Sequence, residues 1–568
     1  MANKKKAFLR TSIIVSSTLC LLVTGCSNNQ SIDNKSQDKE PVSSQEIISS
    51  KEEEEQYHIV RPDFTPDYNH FGVSSAPSGV NMTYYSDIYS RGFSWLTDEN
   101  TKDTELYLTL SDKGKDADFD NAEIKALGNS VKLSYDTSGN VTGENESGEV
   151  VIPKAKGSSN ASAVTIMSHK VHVENLQKGK AYSYKIGSSS GGYTYGAFIV
   201  EKEKSKGITA VHMSDAQTKD LNKSNVWRNT FVKSVITAGD DLDFALYNGD
   251  QFDQNNATGN DKEPFRLYRY SNAIDIIQDY KFNIPYMSSS GNHEPSSPYS
   301  HYIMGEINYG GYDVKGGYYS YDYEYAHFVV LNTNTVDDAQ VNWLKEDLKA
   351  AKDAKWKVVM MHISPYSSGD HSNKSENQNI VKTFTPIFSE NHVDLVLQAH
   401  DHTYNKTLPY RWDSVGYTET YHNDEVVNLN PAKSKVDGVE YDVDPEGTYY
   451  VTTGAAGHRY GASETDGIYA EYVLDNGEID GLNPSKTFVD NKYKLELGEL
   501  TQETQYEPYT FGSYTSDQHY EIGDPASGNV NAPMFGVLNI TEETLSYHVY
   551  TAIGDDVKLF DTLDVLKE

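Results

Sequence analysis

The residues able to do chemistry fall in five short polar blocks, each just past an apolar stretch. They are Ser214-Asp215-Ala216-Gln217, Asn248-Gly249-Asp250-Gln251-Phe252-Asp253, Gly291-Asn292-His293-Glu294, Met361-His362 and Ala399-His400-Asp401-His402. Asp215, Asp250, Asn292, His362, His400 and His402 offer carboxylate, amide and imidazole donors without sulfur, a set that suits Fe, Mn or Zn. One carboxylate shared by two cations would hold them about 3.5–4 Å apart, the spacing of two-metal phosphoryl-transfer sites. His400 and His402, two apart in an extended segment, project to the same side. Each could reach one of two adjacent cations if the backbone turns between them. Singly, the residues have plainer readings. Asp250 after Asn248-Gly249 and Asn292 after Gly291 suit turns, and His362 at a strand end suits a satisfied core histidine. Five ordered blocks together make coincidence improbable.

The elements that must position these blocks follow from hydrophobic pattern. From Gly207 onward apolar strands alternate with helix-length amphipathic segments, the mark of an α/β region. Strands are expected at Ile208–Met213, Leu242–Tyr247, Ile284–Met287, Phe328–Leu331, Val358–Met361 and Val393–Leu397. Helices are expected at Val226–Ala238, Phe265–Tyr280 and Asp338 to Lys352, the last with Val341, Leu344 and Leu348 on one face. Each polar block then lies at the C-terminal end of a strand, the edge at which open α/β sheets bind ligands. Before Gly207, from about Arg61 to Glu203, short strand-like stretches such as Glu105-Leu106-Tyr107-Leu108 and Ala181-Tyr182-Ser183-Tyr184 alternate with polar turns, which predicts an all-β sandwich.

The ordered blocks resemble those of the calcineurin-like metallophosphoesterases and, among them, the purple acid phosphatases. Gln340-Val341-Asn342-Trp343-Leu344, His400-Asp401-His402-Thr403-Tyr404, Val451-Thr452-Thr453-Gly454-Ala455-Ala456-Gly457 and the 535–566 segment are similar to later parts of that family. The resemblance implies a fibronectin type III-like β-sandwich over 58–203. A four-layer α/β/β/α metallophosphoesterase domain would follow over 204–525, completed by 526–568. It also implies two divalent or trivalent transition metals (Fe, Zn or Mn). Asp215 and His402 would bind one, Asn292, His362 and His400 the other, and Asp250 would bridge both. His293 and His371 would hold the phosphate and protonate the leaving oxygen. The implied reaction is hydrolysis of phosphomonoesters by a metal-bound hydroxide; the alternatives are a phosphodiesterase, or a wall-binding module with a vestigial metal site.

Three positions depart from the family. Asp253 stands where purple acid phosphatases have a tyrosine on ferric iron, so their charge-transfer colour should be absent; Asp253 either binds the first metal or holds a metal-bound water. Gln217 stands where many metallophosphoesterases have a metal-binding histidine, and is expected beside the metals but not on them. Ala399 replaces a glycine.

Composition bounds the remaining roles. The chain has 568 residues with 49 Lys or Arg and 83 Asp or Glu, a formal net charge of −34, which argues against a nucleic-acid partner. The only cysteines are Cys20 and Cys26, so the body has neither a disulfide nor a thiolate metal site. Lys4-Lys5-Lys6, the apolar run 13–23 and Leu22-Val23-Thr24-Gly25-Cys26 resemble a bacterial lipoprotein signal over 1–26, with Cys26 lipidated. Residues 27–57, poor in apolar side chains and rich in Ser, Asn, Gln, Lys and Glu, are expected to be a disordered tether. The expected location is therefore the bacterial cell surface, lipid-anchored on the outer face of the cytoplasmic membrane.

Overall fold

The computed structural model describes residues 57–59, 61–62, 74–136, 143–144, 150–153, 166–201, 207–218, 221–251, 273–294, 305–313, 315–366, 375–402, 404–407, 409–411, 425–426, 431–457, 532–553 and 556–568. Cys26 and the expected tether up to residue 56, with Asp253 and His371, lie outside the described residues.

Ahead of Gly207 two sheets pack face to face. One runs Ser78–Thr83, Arg91–Asp98, Ile166–Val173, Asn129–Asp136, Val150–Pro153, Gly143–Glu144; the other runs Gly192–Ile199, Ala181–Ser188, Glu105–Leu110, Ile124–Leu127. In Glu105–Leu110 the alternation puts Leu106 and Leu108 inward and leaves Glu105 and Tyr107 partly exposed. Phe93, Trp95, Leu106, Leu108, Val171, Tyr184, Ile186 and Phe198 fill the space between the sheets. The expected β-sandwich is present.

The α/β region holds two larger sheets. Eight strands run in the order Tyr286–Ser288, Phe244–Tyr247, Ile208–Met213, Met534–Ile540, Thr544–Ile553, Asp556–Leu566, Val439–Val443, Ala432–Val436. Seven run Gly311–Asp313, Gly316–Tyr323, Ala326–Val330, Trp356–Ile363, Leu395–Ala399, Tyr449–Thr453, Tyr404–Lys406. Ile208, Ala210, Leu246, Val330, Met360, Leu397, Val451 and Leu538 form the core between the sheets. The alternate residues Val211 and Met213 pack with Trp227 and Phe231 of the helix Leu221–Ala238. Val359 and Val396 likewise pack with Leu344, Leu348, Phe384 and Phe388 of the helices Asp338–Ala350 and Ser375–Glu390. Burial on both faces explains why these strands read as continuous apolar runs. The four-layer arrangement is as expected.

One element differs. The segment expected as a helix to Tyr280 is described only from Ala273, and it breaks at Ile276–Ile277 before a single turn, Gln278–Lys281. Trp227 Nε1 donates to Ala273 O at 2.9 Å and Arg228 donates to Ile276 O. These side chains take carbonyls that a continuous helix would use for itself.

The sandwich is bonded into the α/β region. Tyr84 lies in the inter-sheet core, its ring 5.8 Å from that of Phe244 and 5.6 Å from that of Tyr321. Tyr184 donates to Phe282 O at 2.8 Å, and the buried Lys281 Nζ donates to Val80 O at 2.7 Å and to Asn81 Oδ1. Gly79 N donates to Asp275 Oδ1 at 2.6 Å.

Candidate metal centre

The polar blocks lie at the C-terminal ends of parallel strands, except that Met361 and His362 fall within the last residues of Trp356–Ile363 and not past its end, and three of the blocks turn through left-handed backbone. Asp215 (φ 52), Gln217 (φ 42), Asp250 (φ 56), His400 (φ 77) and His402 (φ 48) all have positive φ. For non-glycine residues this costs on the order of 1–3 kcal/mol each, and it persists only where neighbours over-determine it. The neighbours here are backbone bonds between loops: Asp215 N to Gly249 O, Gln217 N to Asp250 O and Thr218 N to Gln251 O, at 3.0, 3.0 and 3.1 Å. Glycine is required at two contacts. A Cβ on Gly291 would lie 2.2 Å from Asp250 Oδ1, and one on Gly249 would lie 2.5 Å from Gly291 N.

The turns bring donors from both sheets together. One ligand atom from each of Asp250, His362 and His400 lies within 4.8 Å of the others, and all three residues are buried. His362 Nδ1 lies 2.8 Å from Asn248 O, so it carries a proton and donates it to that carbonyl. His362 Nε2 then faces Asn292 Oδ1 at 2.9 Å and Asp250 Oδ2 at 3.4 Å. A neutral ring would aim its lone pair at two oxygen lone pairs, an arrangement that fits a cation among them. Without one, the ring itself must be charged. Burial acts to lower its pKa, but the Asp250 carboxylate overrides burial and holds it up at about 10. Asp250 is driven well below the usual carboxylate range: burial opposes this, and the charges of His293 and His362 outweigh it.

On the other side of Asp250, His400 N donates to Asp215 Oδ2 at 3.2 Å. His402 Nε2 lies 3.4 Å from Asp215 Oδ1, a buried oxygen that accepts no hydrogen bond. A buried carboxylate oxygen left in this state is costly unless a cation completes it. The donor set, oxygen and imidazole without sulfur, fits Fe, Zn or Mn. His293 donates its backbone N–H to Asp250 Oδ1 at 2.8 Å, and its Nε2 lies 3.8 Å from Asp250 Oδ2. Gln217 Nε2 donates to Asp250 Oδ2 at 3.1 Å, so its amide nitrogen, not its carbonyl, is the group turned to that carboxylate.

Sequence reasoning assigned no role to Glu294, although it stands in the third block. Its side chain is fully buried and accepts three backbone N–H bonds: Asp250 and Gly291 on Oε2 at 2.8 and 2.6 Å, and Gln251 on Oε1 at 2.7 Å. Burial, and then the Asp250 charge, push its pKa upward. Asn334 is a second unassigned residue; its Nδ2 donates to Gly291 O at 2.8 Å. The signal for Glu294 was available, since a carboxylate beside a ligand and far from solvent needs donors. Asn334 carries no such mark. His212 is buried, with Nδ1 2.7 Å from Tyr547 Oη and 3.0 Å from Thr453 Oγ1; burial lowers its pKa to about 3. His392 is exposed. His301 and His458 lie outside the described residues.

Residues 209–404 match the calcineurin-like phosphoesterase family. Acid phosphatase type 7 of Mus musculus is 26% identical over 268 residues, 42% of this chain and 57% of its own length. Purple acid phosphatase 18 of Arabidopsis thaliana is 23% identical over 241 residues, 39% of this chain and 48% of its own. The chain thus spans about half the length of the curated relatives it matches. A solved purple acid phosphatase from yellow lupin (Lupinus luteus) seeds shares the fold at a TM-score of 0.53 and 13% identity, covering 87% of this chain and 75% of its own. The calcineurin-like segment contains all six donors described above.

Proposed function

We propose that the chain hydrolyses phosphomonoesters at a binuclear transition-metal centre of Fe, Zn or Mn. The observation that carries this reading is the convergence of Asp250, His362 and His400 within 4.8 Å, with Asn292 on one side and Asp215 and His402 on the other. In this reading Asp215 and His402 hold one cation, Asn292, His362 and His400 hold the second, and Asp250 holds both. Asp253 is proposed as an additional group on the first cation. Cations held there supply Lewis-acid polarisation of a phosphoryl group and lower the pKa of water.

The chain's own groups do the rest. Asn248 O fixes the tautomer of His362, so that its Nε2 points at the cluster. The His293 backbone fixes Asp250 Oδ1 and leaves Oδ2 for binding. The His293 side chain is only 11% exposed and sits beside the cluster, where its Nε2 can contact a bound phosphate and hand a proton to the leaving oxygen. His371 is proposed to assist it. For location, we propose export and anchoring through a lipidated Cys26 at the outer face of the cytoplasmic membrane, with the support coming from the N-terminal sequence pattern alone.

The test is hydrolysis of matched phosphomonoesters and diesters by wild type, Asp250→Asn and His402→Ala, each verified as folded. The expected result is loss of turnover in both variants and a higher wild-type kcat/KM on the monoester. Wild-type turnover in either variant rejects the site, and a higher value on the diester rejects the substrate class.

A further inference from the structure

We propose that Tyr247 is a positioning residue of the metal centre: its hydroxyl fixes the loop carrying Asp215 against the loop carrying Asp250, and so sets how the two carboxylates stand to each other. This inference rests on the binuclear reading given above. It begins with the backbone N–H groups that follow the strand Ile208–Met213. Asp215 N, Gln217 N and Thr218 N donate to the carbonyls of Gly249, Asp250 and Gln251 at 3.0, 3.0 and 3.1 Å. Ala216 N donates instead to a side chain, Tyr247 Oη, at 2.8 Å. The same hydroxyl donates to Asp250 O at 3.3 Å, beside the bond which that carbonyl accepts from Gln217 N. One oxygen thus joins the peptide after Asp215 to the peptide after Asp250.

The ring that carries this hydroxyl is fixed by its packing. Tyr247 ends the strand Phe244–Tyr247 and is fully buried. It stacks on Tyr286 with ring centroids 5.5 Å apart and meets Trp227 edge-on at 5.3 Å. Both neighbours are tied in turn: Tyr286 Oη donates to Gln251 Oε1 at 2.7 Å, and Trp227 Nε1 to Ala273 O at 2.9 Å. The carbonyl side of Ala216 is closed as well. A Cβ on Gly457 would lie 1.8 Å from Ala216 O, and Ala456 N donates to Ser214 O at 2.8 Å. Ala216 therefore sits between a fixed hydroxyl and a close backbone. It is flanked by Asp215 (φ 52) and Gln217 (φ 42), whose left-handed backbone persists only where neighbours hold it. Phenylalanine would fill the same space beside Trp227 and Tyr286 but would leave the Ala216 N–H buried without its acceptor. Release of that loop would move Asp215 Oδ1 relative to His402 Nε2, 3.4 Å away, and relative to Asp250.

The test is Tyr247→Phe in the full-length protein, with Tyr286→Phe as its control. The control removes a hydroxyl of the same stack whose bond is to the Gln251 side chain. Metal-stripped proteins are titrated with Mn²⁺ by calorimetry. The loaded proteins then give the electron paramagnetic resonance spectrum of the Mn²⁺ pair, which follows the spacing and bridging of the two ions. Tyr247→Phe should bind Mn²⁺ about tenfold or more weakly than wild type, the scale on which partners of ligands tune metal affinity, and should alter the pair spectrum. Tyr286→Phe should stay within about threefold of wild type and keep its spectrum. Gly457→Ala presses on Ala216 from its carbonyl side and leaves the aromatic stack whole. It should also weaken binding about tenfold or more, which keeps the test readable if Tyr247→Phe folds poorly. Wild-type affinity and spectrum in Tyr247→Phe or in Gly457→Ala overturn the proposal. Equal losses in Tyr247→Phe and Tyr286→Phe also overturn it, because they assign the effect to the packing of the stack. A wild type that binds no Mn²⁺, Zn²⁺ or Fe²⁺ overturns the binuclear reading instead.

Discussion

Glu294 ties the loop carrying Asp250 to the loop carrying Asn292, and its removal tests whether positioning depends on that bond. Glu294→Ala leaves three buried backbone N–H groups, of Asp250, Gln251 and Gly291, without their acceptor. A buried donor left unsatisfied costs about 1–3 kcal/mol. Three together predict a loss of about 3 kcal/mol or more, a large part of the usual stability of a folded chain. Glu294→Gln is the sharper perturbation. Its single carbonyl can keep the two donors on the Oε2 side or the one on the Oε1 side, and its amide then meets an N–H head-on. The expected loss is about 1–3 kcal/mol, with the fold retained. One amide orientation releases Asp250 and Gly291 and the other releases Gln251, so the Asp250 loop loses a tie either way, and Mn²⁺ affinity should fall about 10- to 100-fold in Glu294→Gln, as when a hydrogen-bonding partner of a metal ligand is removed. Urea unfolding of the metal-stripped protein measures the first quantity and calorimetric titration the second. Stability within about 0.5 kcal/mol of wild type together with unchanged affinity would refute the positioning role. A stability loss without an affinity loss would show that Glu294 serves the fold alone.

Other outcomes follow from neighbouring features. His327 lies between Asp322 (2.6 Å) and Asp347 (3.0 Å); burial pulls its pKa down, but the two carboxylates outweigh it and raise it from 6.5 to about 9. Its contribution is fully present below pH about 6.5 and is lost as pH rises through about 9. With Asp322 75% exposed and screened, it amounts to about 2 kcal/mol, checked by comparing urea unfolding of wild type and His327→Gln at pH 6 and pH 10. Gly291→Ala should abolish tight Mn²⁺ binding, since its Cβ would displace the Asp250 carboxylate; calorimetry reads this directly. Lys281→Ala leaves Val80 O and Asn81 Oδ1 unmet in a buried joint and should cost about 2–4 kcal/mol, seen as faster proteolysis between sandwich and α/β region.

Much of the site was legible because strand ends and ligand types coincide in the sequence. Ile208–Met213 was found to the residue, since a doubly buried strand is an unbroken apolar run that stops where Ser214 and Asp215 begin. The other strands shifted by one or two residues at an end: pairing extends past the apolar run on both sides at Trp356–Ile363, whereas Phe244–Tyr247 and Leu395–Ala399 begin two residues into theirs. The break at Ile276–Ile277 was not legible: the residues that cause it, Trp227 and Arg228, come from a distant helix. Gln217 was readable as a departure from the family, but the direction of its amide depends on the three-dimensional path of the Asp250 loop. Asn334 and Glu294 act on backbone atoms, and a sequence shows side chains more readily than the backbone groups they satisfy.

The strand bearing Asp215 is paired on one edge with Phe244–Tyr247 and on the other with Met534–Ile540, Ile208 lying opposite Ile540. During synthesis the ribosome releases Asp215, Asp250 and the three histidines long before that second neighbour exists. The eight-stranded sheet has no complete middle until the 534–566 strands arrive, and closing so long a loop makes this step slow. Assembly of the centre thus waits on strands that lie far later in the sequence than the ligands themselves. A chain cut before Met534 should therefore fail to form the cluster of Asp250, His362 and His400.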